Sequence, residues 1–188
     1  KEIGARATEL RSDLIVMGRA RVRALHDAFL GSTAERVIRQ TRLPVLSVRL
    51  APRRAYRRPA LALDLDSAAP EAILLMLRVL PPPRPQVAII HAVVDPYQGP
   101  IYSTISDDEA EERKDEVCSN ATRKLELLLA TALAKAKVRF EDGPICKPHI
   151  RCASPRIVVE KVVKKAESDL LVIGTHGYSA AAHAFLGS

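Results

Sequence analysis

Residues 12–32 and 168–188 of this 188-residue chain are close to the same sequence written twice. At a fixed offset of 156, without a gap, eleven of the 21 positions are identical. They are Ser12, Asp13, Leu14, Val16, Gly18, Ala24, Ala28, Phe29, Leu30, Gly31 and Ser32. Each copy opens on a short apolar run, Leu14 to Met17 and Leu170 to Ile173, with the look of a buried strand. Each run enters a loop that closes on Gly-Ser, at Gly31-Ser32 and at Gly187-Ser188. The second copy reads G-x-x-G, nine residues, G-S, with Gly174 and Gly177 leading. A strand that empties into such a loop is a common phosphate cradle. Glycine lets the backbone come close to an anion, and consecutive N–H groups then point at its oxygens. The hydroxyl of Ser188 adds a donor. The same glycines would also serve a tight strand-to-helix turn with no ligand at all. A repeat of this length is domain-sized, so it points to duplication of a whole domain and not to a solenoid.

The rest of the chain alternates strands and helices. Residues 2–11 read as the end of a helix with Ile3 and Leu10 on one face. After the first loop, Ser32 or Thr33 caps a helix whose stripe is Ala34, Val37, Ile38 and Thr41. Pro44 stops it, and residues 43–50 form a strand. Residues 51–59 carry charge and turn residues without an apolar period, which reads as a linker. Residues 61–64 are a strand. A helix follows from Ser67, with Ile73, Leu74, Leu77 and Leu80 buried, and Pro81-Pro82-Pro83 ends it. Residues 87–94 are the most evident buried strand. A polar loop, residues 95–106, leads to a long helix over 107–137, with acidic first turns that suit the helix dipole. Its stripe is Ala121, Leu125, Leu128 and Ala132. Residues 138–152 are open between one interrupted strand and two. Ser154-Pro155 starts a helix with Val158, Val159, Val162, Val163 and Ala166 inside. Short turns joining strands to helices mean an α/β fold with a mainly parallel sheet. Ligands of such sheets bind beyond the carboxyl ends of the strands, where strand order reverses. Asp64, Ala92 and Gly174 all stand at or near such ends.

Composition narrows the function classes. The chain is 47% hydrophobic but only 4% aromatic, so its core is aliphatic. No apolar run approaches the roughly 18 residues of a membrane span. The first residues lack the pattern of a signal peptide, and the missing initiator Met suggests a fragment. The net charge of +7 is uneven. Residues 1–60 hold 14 Lys and Arg against 5 Asp and Glu, and residues 61–188 hold 15 against 17. Without interleaved aromatics or a recognisable motif, the basic excess reads as solvated faces and a basic linker, and not as a nucleic-acid site. Cys118, Cys146 and Cys152 are an odd, unpatterned set. They read as packing thiols in a reducing, cytoplasmic compartment, and their spacing matches no metal site.

With these residues in place, Leu-Val-Ile-Gly-Thr-His-Gly and the later Phe-Leu-Gly-Ser resemble the nucleotide-binding signature of the universal stress protein family. Asp13 through Gly18, with Gly31-Ser32-Thr33-Ala34-Glu35-Arg36-Val37, resembles the same region in a first copy. The strand ending at Asp64 and the strand around residues 89–93 resemble the family's first two strands. The resemblance implies a Rossmann-like sandwich of the adenine nucleotide alpha hydrolase-like type, with a five-stranded parallel sheet between helices. It implies ATP as ligand, with Mg²⁺, and a dimer or a pairing of tandem repeats. By position, Asp64 would contact the adenosine and the backbone near Ala92 would line the adenine. Ile173, Gly174 and Gly177 would approach ribose and phosphates, and Gly187 and Ser188 would hold the phosphates. Gly18, Gly31 and Ser32 are the first copy's equivalents. That copy departs from the signature at Arg21, which stands where the second glycine belongs. A side chain there would block close backbone approach, or pair with a phosphate.

The repeats divide as residues 1–50, the carboxy-terminal part of one domain; 51–59, a linker; and 60–188, a second domain without its last helix and strand. Three explanations stand open. The chain is a fragment of a longer tandem protein, or its ends are absent from the sequence. Alternatively, residues 32–50 complete the sheet begun by residues 60–188, by permutation or swap. The function implied is an ATP-binding sensor or regulator of the stress response. A slow ATPase and an interaction module with a degenerate site are the alternatives. His91 and His176 read as a core and a loop residue, and no general base stands out beside the loop.

Overall fold

A computed structural model describes residues 2–18, 32–48, 51, 54–65, 69–93 and 105–174 of the chain. The contacts divide it into two compact units, residues 1–55 and 56–188.

The amino-terminal unit is a helix–strand–helix–strand. Helix α1 (Glu2–Glu9) leads to β1 (Ile15–Gly18), and α2 (Ser32–Gln40) leads to β2 (Val45–Val48). The two strands are parallel, with Ile15 beside Val45 and Gly18 beside Val48. Ala34, Val37, Ile38 and Thr41 are all buried, as their helical spacing requires. Two expectations fail here. The buried residue of α1 is Ala7, while Ile3 and Leu10 are exposed. And β1 is buried on one side only: Ile15 is inside while Val16 is 61% exposed. A two-stranded sheet has one covered face, so alternate residues must face outward.

In the carboxy-terminal unit, β3 (Pro59–Ala62), α3 (Ala69–Val79), β4 (Val87–Val93), α4 (Asp107–Lys135), β5 (Cys146–Cys152), α5 (Pro155–Lys165) and β6 (Leu170–Ile173) follow in order. The four strands are parallel in the order β5-β4-β3-β6. The described residues thus hold sheets of two and four strands, where the family resemblance implied one of five. Strand β2 lies beside β1.

Helix α5 covers one face of this sheet. Its Val158 and Val159 pack on Ala60, Ala62, Ala88 and Ile90. The small alanines let the helix approach closely, and the alternate residues Leu61, Val87 and Ile89 are wholly buried on the other face. Helices α3 and α4 pack on each other and on the sheet, with Ile73, Met76 and Leu125 inside. Leu74, expected in the core, is only partly buried, and Met76 takes that place. The ambiguous residues 138–152 resolve into a short 3-10 turn, Phe140–Asp142, and one strand. Pro148 sits within that strand, which is tolerated because β5 is an edge strand with no ladder to complete on one side.

The same local turn ends both α1 and α5. Arg11 and Glu167 have φ of 50° and 48°, in the left-handed region. The N–H of Ser12 donates to the carbonyl of Ala7 at 2.9 Å, and that of Ser168 to Val163 at 3.0 Å. Each pair is displaced by the repeat offset seen in the sequence.

Candidate functional site

Three strand ends meet at one edge of the four-stranded sheet. From β3 the chain steps outward to β4 and β5, then crosses through α5 to β6 on the other side of β3. The order therefore reverses between β3 and β6, which makes the carboxyl end of β3 the switch point. Ala62 pairs with Ile90 of β4 and with Ile173 of β6. Continuing that register puts Asp64 level with Ala92, and Gly174 directly follows Ile173.

Asp64 is partly buried, and its Oδ2 is shut away from solvent without a hydrogen-bond partner among the described residues. A buried polar oxygen without a donor costs about 1–3 kcal/mol, a cost that a donor arriving at this position would relieve. The neighbouring groups are satisfied: the N–H of Leu63 donates to the carbonyl of Ile90 at 2.9 Å. The Nδ1 of His91 lies 2.8 Å from the carbonyl of Leu63, consistent with a hydrogen-bonded strand residue. Ala92 and Ile173 are partly buried and pack against the α5-side core. Gly174 needs glycine neither for packing nor for its own backbone. A Cβ there would meet no described atom within 4 Å, and its φ is outside the left-handed range.

The structure thus brings together Asp64, Ala92, Ile173 and Gly174. Gly18, exposed at the end of β1, and Ser32, the first residue of α2, belong to the other unit. A Cβ on Gly18 would also meet open space. Gly31, Gly177, Gly187, Ser188 and Arg21 lie outside the described residues. Among the described residues no three His, Cys, Asp or Glu side chains gather as a metal site, and no helix is long and apolar enough to cross a membrane.

A second concavity, of about 290 Å³, lies at the opposite, amino ends of the strands and was not foreseen from sequence. Arg57, Arg58, Lys147, His149 and Lys165 line it. Burial lowers the pKa of His149, and the charges of Lys147, Arg151 and Lys165 lower it further. Arg58 also pairs with Glu167 at 2.7 Å.

A parallel α/β sheet whose strand order reverses at β3 defines the class: an α/β protein of the Rossmann-like kind. The universal stress protein family profile matches residues 1–49 and 55–188. The chain belongs to that family. Solved structures agree on the fold. A functionally unknown protein from Pseudomonas aeruginosa PAO1 superposes with a TM-score of 0.61 at 18% identity, over 98% of this chain and 63% of that one. A candidate universal stress protein from Pseudomonas aeruginosa UCBPP-PA14 gives 0.60 at 18% identity, with the same coverages. The hypothetical protein MJ0577 gives 0.51 at 17% identity, over 66% of this chain and 78% of that one. This chain therefore spans about 63% of either Pseudomonas structure. No curated protein sequence matches it.

Proposed function

We propose that the carboxy-terminal unit binds ATP at the end of β3, and that the protein acts as a stress-response sensor or regulator of the tandem universal stress type. The observation that carries this reading is the buried Oδ2 of Asp64 at the switch point, which has no hydrogen-bond partner among the described residues. A ribose hydroxyl or adenine amino group would supply the missing donor. The backbone at Ala92 and Ile173 would line the base, and Gly174, where an added Cβ meets no described atom within 4 Å, would let the ribose approach. The phosphates would fall to Gly177, Gly187 and Ser188, with a divalent cation accompanying them. The equivalent residues of the first copy, Gly18, Gly31 and Ser32, bind more weakly or not at all, because Arg21 replaces a glycine. The two sequence copies and their matching helix-ending turns support descent from a duplicated domain, and pairing of repeats or a homodimer in the cytoplasm is the arrangement that follows.

The test is calorimetric titration of the chain with ATP and Mg²⁺, beside the variant Asp64→Ala. Binding should weaken at least about tenfold in the variant, as expected for loss of a buried hydrogen bond of about 1.5–3 kcal/mol to a charged group. Its thermal midpoint should hold or rise, because an orphaned charge has been removed. Equal affinity for both proteins would sink the role of Asp64. No heat at millimolar ATP would sink the nucleotide reading and leave an interaction module.

A further inference from the structure

Two of the three cysteines, far apart in sequence, meet in the fold. Cys118 lies on α4 and Cys152 is the last residue of β5. Helix α4 packs on that strand, and the two sulfurs are 3.6 Å apart. Both thiols are reduced and partly buried, so a small oxidant can reach them. A disulfide needs the sulfurs at about 2.05 Å, an approach of about 1.5 Å that side-chain rotation and a slight helix shift can supply. Sequence spacing alone presented these residues as packing thiols.

We infer that Cys118 and Cys152 form a redox modification site, which hydrogen peroxide closes into an intramolecular disulfide between α4 and β5. One thiolate attacks a peroxide oxygen and breaks the O–O bond, giving a sulfenic acid and releasing water after protonation. The second thiol then attacks the sulfenic sulfur, forming the S–S bond and expelling a second water. Two thiols are oxidised by two electrons and one peroxide is reduced to two waters. A dithiol reductant reverses the step by exchange.

The third cysteine is a built-in control. Cys146 shares a strand face with Cys152 but stands six residues away, about 20 Å along the strand. Its thiol donates to the carbonyl of Pro144 at 3.6 Å. Burial pushes its pKa up to about 11, so it stays protonated and slow to react. The crosslink would fall at the carboxyl end of the sheet, since Cys152 lies beside Val93 of β4.

The experiment is peroxide titration of the reduced, full chain, quenched by alkylation under denaturing conditions and read by intact and peptide mass spectrometry. The expected result is an intact mass two units below that calculated for the chain with one alkylated thiol, one Cys118–Cys152 linked peptide, Cys146 fully alkylated, and a higher thermal midpoint. Cys118→Ala and Cys152→Ala should each lose the two-unit shift, while Cys146→Ala keeps it. The wild-type peptide map stands even if a variant fails to fold. The inference is overturned if both thiols remain alkylatable at peroxide that oxidises a free thiol. Oxygen addition without the two-unit loss, or a link through Cys146 or a second chain, would overturn it equally.

Discussion

His149 faces cations from two elements, with Lys147 and Arg151 on its own strand and Lys165 on α5. Its pKa is held below the ordinary value, first by burial and then by those charges. The unfolded chain therefore binds a proton more readily than the folded one. Stability from this residue is intact above about pH 6.5 and falls as the pH drops from there through the folded pKa. Chemical denaturation between pH 5 and 7 should show this slope, and His149→Gln should flatten it. Asp169 acts as a tie. Its carboxylate accepts the N–H groups of Arg57 and Arg58, each at 2.9 Å, and its own N–H donates to the carbonyl of Arg58 at 3.1 Å. These bonds fix the start of β6 against the start of β3, at residues that the sequence alone presents as linker. Asp169→Ala should cost about 1–2 kcal/mol in urea unfolding, at the low end for charged hydrogen bonds because the site is exposed.

Helix ends show how an element can be specified without its usual signal. Helices α1, α4 and α5 all close on left-handed residues, Arg11, Lys137 and Glu167. Each turn carries the paired bonds of a Schellman motif: for α4, Val138 donates to Leu133 at 3.1 Å and Lys137 to Ala134 at 3.0 Å. Glycine is the ordinary residue there, and its absence hid these stops from a reading by composition. Lys137→Gly should stabilise the carboxy-terminal unit by up to about 1 kcal/mol, the relief of left-handed strain less glycine's added freedom when unfolded. The start of α4 was legible from its acidic first turn, and there Ser106 and Glu109 form a reciprocal capping box. Hydrogen bonds from the backbone and then the side chain of Ser106 lower the pKa of Glu109. Ser106→Ala should cost about 1 kcal/mol, measured by thermal unfolding at neutral pH. The Glu109 contribution is lost as acid protonates it, so the penalty should shrink at low pH.

At the scale of the molecule, the core of the carboxy-terminal unit is the sheet between α5 on one side and α3 with α4 on the other. Leu61 and Ile89 sit fully buried at its centre. Leu61→Ala should destabilise this unit by about 2–5 kcal/mol, since neighbours in a parallel sheet cannot close the cavity. Denaturant unfolding followed by far-UV circular dichroism would show it. The α/β class, the parallel strands and the helix stripes were legible, because periods of 2 and 3.6 residues are written locally. Less legible were Val16, whose apolar side chain faces out, and Met76, which displaced Leu74 in the core. Burial of an apolar residue depends on which neighbour covers it, and no local pattern states that. The candidate site was legible in part. Asp64, Ala92 and Gly174 could be placed at strand ends, but the orphaned Asp64 oxygen could not be foreseen.

The sequence by itself determined the repeat, the family resemblance, and the alternation of strands and helices. These follow from short-range patterns and from the order of motifs along the chain. Only the tertiary structure decided that the strands divide between a sheet of two and a sheet of four. Only it brought Cys118 within 3.6 Å of Cys152, drew four cations around a cavity at the amino ends of the strands, and left the Asp64 Oδ2 without a partner among the described residues. Each of these rests on contacts between residues distant in sequence, whose encounter is set by strand order and helix packing.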